Sequence, residues 1–292
     1  MYDDILLPTD GSTAADHALS AVTPIAEQYD ATVHLLTAFD LSEVTPSLRE
    51  QARSQLHDHG TAAIERLAAT ASQFESEMAV IETMQPVHEA ILEYAEDHEI
   101  DLIAMGTHNP GTLRRFTMGS VTRRTVRSSD CPVLVVGEDT TVSANPQGIL
   151  LPTDGSAAAA GSATHALELC EAFEATLHVI NVVDLTGPWS TIESSDLLLA
   201  FEAAGKQAVD AIIERADDRD IASVQTSVIS GYPAESIVDY VEQRPIDLVV
   251  MGTHGRSGIE RALLGSVTEA VIGNAAVPVF TVKQTDSIES AE

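Results

Sequence analysis

The stretch ILLPTDGS stands at residues 5–12 and again, letter for letter, at residues 149–156. Outward from it, IDLIAMGTH at 100–108 returns as IDLVVMGTH at 246–254, and GSVT at 119–122 returns at 265–268. The offset is 144 in the early part of each copy and 146 in the late part, which puts two extra residues in the second copy between Asp184 and Ile237. Solenoid repeats end near ~50 residues, so this period is that of a whole duplicated domain. Each copy is large enough for a core of its own. The first unit is expected over 1–138 and the second over 148–285, with a polar linker at 139–147 and a flexible tail at 286–292.

Within each copy, short apolar runs alternate with segments whose apolar residues recur three and four apart, as at Ala18, Val22, Ile25 and Ala26. The first copy is expected to form strands over 4–8, 32–39, 78–83, 101–105 and 133–136, and helices over 13–29, 48–72, 88–98 and 120–128. The second copy is expected to form strands over 148–152, 176–183, 223–229, 247–251 and 279–282. Ser12 and Ser156, each after a glycine, read as helix caps. Strict βαβα alternation with strands apolar along their length means a parallel sheet covered on both faces. The fold class is therefore α/β: two tandem doubly wound domains of the flavodoxin/Rossmann-like kind. Such sheets bind ligands beyond the carboxyl ends of their strands, where the strand order reverses. Asp10 and Asp154 follow the first strand of each copy, and Gly106 and Gly252 follow the fourth.

Forty-five acidic against fifteen basic residues give a formal net charge of −30, and only Lys206 and Lys283 are lysines. A moderately acidic bacterial protein is one reading. A halophilic archaeal cytoplasm is the favoured one, because molar salt screens charges within about 3 Å and makes such self-repulsion tolerable. This acidity disfavours nucleic-acid binding. No apolar run approaches a membrane span, and the first ten residues lack the pattern of a leader, so a soluble, cytoplasmic protein is expected. Cys131 and Cys170 fall opposite Val277 and Ala26, which points to buried, reduced thiols. Arg114, Arg115, Arg123, Arg124 and Arg127 place a third of the basic residues within fourteen positions, where the second copy has only Arg261. Three roles suit them: facing phosphates, a partner, or acidic neighbours in the same chain.

After its fourth strand the second copy reads GTHGRSGIERALLGSVT, so Gly252, Gly255 and Gly265 are spaced G-x2-G-x9-G with Ser266 next. Glycines let backbone approach an anion, and a helix beginning at Ser266 offers unbonded N–H groups and a positive dipole end. A glycine-rich loop before an ordinary helix cap is the bland alternative. PTDGS after the first strand, MGTHG after the fourth and G-x2-G-x9-G-S together resemble the universal stress protein family, over essentially the whole chain. The resemblance implies five-stranded sheets of order 3-2-1-4-5 that pair through their last strands. In a tandem chain this makes an intrachain pseudo-dimer of residues 133–136 and 279–282, with a further homodimer left open. It also implies binding of adenine nucleotide, ATP or AMP, with Mg²⁺ accompanying ATP, in a stress-response or signalling module.

Carried onto the second copy, the resemblance puts Pro152, Asp154 and Val182 around adenine and ribose, and Gly252, Gly255, Gly265, Ser266 and Val267 on the phosphates. Gly231 belongs to the same mouth, with Ile237 beneath it. In the first copy Pro8, Asp10, Ala38, Gly106, Gly119, Ser120 and Val121 keep register, but Asn109 replaces the second loop glycine and Gln85 stands at the Gly231 position. The first site is thus expected to be altered or weakened, with Arg114 and Arg115 as candidates to compensate through charge-assisted phosphate contacts. Asp10 and Asp154 also suit a simple turn role.

His108 and His254 are paired across the repeat but lack a nucleophile–base partner, so a structural role beside the loop is expected and no catalytic or metal-binding residue is assigned. His34 and His178 read as packing or edge residues of the second strand. A slow Mg-dependent ATPase using Asp10 or Asp154, and a non-binding interaction scaffold, remain the competing functions. A dinucleotide dehydrogenase is excluded because no G-x-G-x-x-G follows the first strand, and a Walker NTPase because GK[ST] is absent.

Overall fold

The computed structural model describes residues 1–71, 73–107, 118–184, 195–254 and 264–283, except for the side chains of residues 195–197. The first half runs β1 (Asp4–Pro8), α1 (Thr13–Tyr29), β2 (Thr32–Asp40), α2 (Arg49–Thr70), β3 (Ser76–Thr83), α3 (Val87–Asp97), β4 (Leu102–Thr107), α4 (Ser120–Ser128) and β5 (Val133–Gly137). The second half repeats the order as β6 (Gly148–Pro152), α5 (Ala157–Phe173), β7 (Thr176–Asp184), α6 (Ser195–Asp217), β8 (Ser223–Gly231), α7 (Pro233–Gln243), β9 (Leu248–Gly252), α8 (Ser266–Ile272) and β10 (Val279–Val282). The strands form one ten-stranded sheet, β3-β2-β1-β4-β5-β10-β9-β6-β7-β8, so each half has the expected order 3-2-1-4-5.

Why these runs become strands buried on both faces is visible in β1. Ile5 and Leu7 enter the apolar layer beneath α1 and α2, while Leu6 between them enters the opposite layer. A period of two therefore divides a continuous apolar run between two cores. The outer strands β3 and β8 carry more polar residues because they lie at the sheet edges. No helix among the described residues is long and apolar enough to cross a membrane.

Several sequence expectations are corrected in detail. Ser156 does cap α5, its Oγ accepting from Ala159 N at 3.3 Å, but Ser12 at the start of α1 makes no side-chain cap bond. Cys170 is buried, whereas Cys131 is only partly so; both are free thiols, and burial pushes the Cys170 thiol up to about 12. The Gly231 counterpart is not Gln85. Asp40 pairs with Thr83 and the equivalent Asp184 pairs with Gly231, so the strand register sets Thr83 opposite Gly231 at an offset of 148. The second copy is thus longer by four residues before its third strand and shorter by two after it. Tyr232 alone joins β8 to α7, where Met84, Gln85 and Pro86 join β3 to α3. The two changes sum to the two-residue difference seen in the sequence.

The two halves meet where β5 and β10 pair antiparallel, with Leu134 opposite Phe280. These two are equivalent positions of the repeat, so a pseudo-two-fold axis passes between them. The seam is chemically unequal about that axis. Arg123 and its own counterpart Glu269 carry opposite charges and lie 2.8 Å apart. Thr281 Oγ1 donates to Val133 O at 2.9 Å, Lys283 Nζ reaches Asp130 at 2.9 Å, and Thr141 donates its N–H to Ala276 O at 2.8 Å.

Tyr2 crosses the seam, its hydroxyl 2.8 Å from His165 Nδ1 and its ring edge-on to Tyr29 and Phe280. Burial keeps the Tyr2 phenol protonated and lowers the His165 imidazole to about 4, so the hydroxyl donates and a neutral imidazole accepts. Because the folded value lies below the ordinary 6.5, the unfolded chain takes up the proton first as pH falls. Stability from His165 is complete above about 6.5 and drains away as pH drops toward 4. Replacing His165 by Gln should make the pH dependence of unfolding free energy shallower between those limits, as measured by urea titrations at several pH values. An unchanged slope would contradict this assignment.

Candidate functional site

In each half the first turn of the helix that follows the first strand lies against a glycine at the end of the fourth strand. Thr9 and Thr153 extend β1 and β6 by one residue, their N–H groups bonding Leu36 O at 2.7 Å and Ile180 O at 2.8 Å. The chain then turns sharply. Thr9 Oγ1 accepts from Gly11 N at 3.0 Å and Thr153 Oγ1 from Gly155 N at 3.2 Å, while Asp10 Oδ1 accepts from Ser12 N at 3.0 Å and Asp154 Oδ1 from Ser156 N at 2.9 Å. Gly11 and Gly155 hold positive φ of 84° and 76°, which side-chain-bearing residues rarely adopt. The turn role that stood as the alternative for the aspartates is therefore present in both copies.

After the fourth strand, Thr268 Oγ1 donates to Gly252 O at 2.8 Å, and Gly265 N donates to Thr253 O at 2.8 Å. The first half matches this, with Thr122 Oγ1 donating to Gly106 O at 3.2 Å and Gly119 N to Thr107 Oγ1 at 3.1 Å. Gly252 and Gly265, and likewise Gly106 and Gly119, are thereby tied together although they are far apart in sequence. Gly119 and Gly265 cap α4 and α8 with no side-chain bond at the cap.

The strand-end glycines have a packing reason that the sequence reading missed. A Cβ on Gly106 would lie 2.2 Å from Ala14 O, and one on Gly252 would lie 3.0 Å from Ala158 O. The first turn of α1 or α5 rests directly on the glycine, and this contact holds the helix that follows the aspartate turn against the end of the fourth strand. A Cβ on Gly231 would lie 2.6 Å from Ser236 Oγ, a side-chain tip that rotation can move, so this contact does not by itself demand glycine. Val182, Val267 and Ile237 share the apolar layer under α7 and α8, and Val121 packs into its counterpart in the first half. Ala38 holds the Val182 position in β2, Pro8 and Pro152 end their strands, and Ser120 and Ser266 open their helices.

Gly255, Asn109, His108, Arg114 and Arg115 lie outside the described residues. His254 Nδ1 sits 2.8 Å from Thr253 Oγ1, a contact suited to a structural role, and its buried Nε2 has no partner among the described residues. Arg123 pairs with Glu269, but Arg124 and Arg127 make no ion pair among the described residues. Burial first, then the charge of Arg124, holds the nearby His88 imidazole below its usual value. His34 and His178 are buried, with Nδ1 3.1 Å from the hydroxyls of Tyr94 and Tyr240 respectively, and His34 Nε2 also lies 3.0 Å from Asp4. The described residues contain no cluster of three His, Cys, Asp or Glu able to hold a metal ion.

Residues 1–137 and 147–283 each match the sequence profile described as the universal stress protein family. The chain belongs to that family. A universal stress protein of Methanocaldococcus jannaschii is 38% identical over 144 residues, which are 47% of this chain and 81% of that one. One from Synechocystis is 25% identical over 310 residues, spanning 95% of this chain and 99% of its own. Among solved structures, a universal stress protein from Archaeoglobus fulgidus superimposes with a TM-score of 0.75 at 21% identity, covering 98% of this chain and 100% of that one. This superposition supports the tandem α/β fold along the whole chain.

Two further positions, absent from the sequence pattern, bond to the backbone just before the aspartates. Thr37 and Asn181, buried at equivalent places in β2 and β7, donate side-chain hydrogen bonds to Thr9 O at 3.1 Å and Thr153 O at 2.8 Å. The available signal was a polar residue of different type at one equivalent position inside two mainly apolar strands.

Proposed function

We propose that the chain is an adenine-nucleotide-binding member of its family, a stress-response or signalling module whose second half is the better site. The observation that carries the reading is the convergence of the Asp154 loop with Gly252 and Gly265 at the point where the strand order reverses. There β6 and β9 lie side by side, while α5 and α8, which follow them, pack in opposite apolar layers. The residues suit a nucleotide: apolar Val182 and Pro152 for a base, a carboxylate on Asp154 for ribose, and backbone near Gly265 with the Ser266 hydroxyl for phosphate. Gly255 completes the glycine pattern only in the second half; the first has Asn109 there.

Mg²⁺ fits best as a companion of ATP, bound through the phosphates, because the described residues supply no ready cation cage. We take 1–138 and 148–285 as the two units, 139–147 as their linker and 286–292 as a tail. The charge of −30 supports work in a salt-rich cytoplasm and argues against nucleic-acid binding.

In molar KCl, millimolar ATP or AMP should raise the unfolding temperature of the full chain, and GTP should raise it less. No shift with any nucleotide would favour the scaffold reading. Phosphate release above background would promote the slow ATPase.

A further inference from the structure

We propose that Asn181, and Thr37 in the first half, are positioning residues that set the loop carrying Asp154 or Asp10. The inference rests on the nucleotide reading for its purpose, but its geometry stands in both copies independently. Asn181 and Thr37 are only 5% and 7% exposed. Each reaches out of the second strand to the carbonyl of the residue just before the aspartate, at 2.8 Å and 3.1 Å. That carbonyl belongs to the same peptide plane as the aspartate N–H. Fixing it fixes how Asp154 or Asp10 leaves the sheet.

Deleting the donor would leave the carbonyl unsatisfied or let the peptide rotate toward water. Space for the device is cleared by a glycine in the covering helix. A Cβ on Gly205 of α6 would come 2.2 Å from Asn181 Oδ1, and one on Gly60 of α2 would come 2.8 Å from Thr37 Cγ2. The same bond to the same carbonyl, made by two different side chains and each facing a helical glycine, points to the bond itself as the thing kept. Packing alone would be served by an aliphatic residue such as the leucines and valines that both strands already contain.

The test uses the full chain with Asn181→Thr and Asn181→Val. The two replacements have nearly the same shape and leave the same cavity, but only threonine supplies the hydroxyl that the first half uses. Hydrogen exchange of the Gly155 and Ser156 amides should be about tenfold faster in Asn181→Val than in Asn181→Thr. ATP affinity, measured by calorimetry well below the unfolding temperature, should be about fivefold weaker in the valine variant. Equal exchange in the two variants would overturn the inference whatever ATP does. So would unequal exchange with equal ATP affinity. Failure of the unaltered chain to bind ATP would sink the nucleotide reading instead, and the exchange comparison would still decide whether Asn181 sets the loop.

Discussion

Gly106→Ala lowers the unfolding temperature of the chain much further than Gly252→Ala. The added Cβ of the first variant would sit 2.2 Å from Ala14 O and 2.3 Å from Ala14 C, both backbone atoms of the first turn of α1. No rotamer change relieves such a clash, so α1 must move off β4 as a body. Overpacking a tight interior costs about 1–3 kcal/mol and sometimes more, and this variant belongs at the upper end. In the second half the corresponding Cβ meets Ala158 atoms at 3.0 Å or more, which a shift of a few tenths of an ångström absorbs. A cost near ~1 kcal/mol is expected there. Scanning calorimetry of both variants decides the matter, and equal losses would contradict the packing argument. The same displacement of α1 carries Asp10 with it, so Gly106→Ala also disturbs the first candidate site.

Phe280→Ala uncouples the two halves. Phe280 is fully buried at the pseudo-two-fold axis, opposite Leu134 and against the rings of Tyr2 and His165. Truncating a buried phenylalanine costs about 3–5 kcal/mol through lost transfer energy and the cavity left behind. The loss falls on the seam, because Tyr2 and His165 come from different halves and both rest on that ring. The expected result is a single thermal transition in the unaltered chain and two separated transitions in Phe280→Ala, the first well below the original. One undivided transition in the variant would show that the β5–β10 pairing does not depend on this contact.

The fold was legible because its inner strands are mainly apolar along their length. β1, β6 and β10 and helices α1 and α4 begin and end where the periodicity placed them. The edge strand β3 starts at Ser76, two residues before the expected Met78, because Ser76 and Glu77 are polar and apolar patterning cannot see them. Gly231 was matched to Gln85 because an insertion and a deletion partly cancel along the sequence. Only strand register separates the two. Thr37 and Asn181 were passed over for a different reason: a hydrogen bond between a second strand and a first-strand loop leaves no spacing signal. The strand-end glycines were recognised, but as a cradle for anions. Their contact with the first helix turn, invisible in one dimension, is a requirement of the fold that any ligand role must share.

Calorimetric titration of the full chain with ATP and Mg²⁺ in molar KCl addresses the central claim most directly, beside the same titration of Gly265→Ala. A Cβ on Gly265 would lie 2.9 Å from Thr253 O, so this replacement disturbs the second glycine loop and leaves the first half untouched. The account predicts one strong equivalent per chain, lost in Gly265→Ala. Two equal sites, a strong site that survives the substitution, or no heat up to millimolar ATP would contradict it.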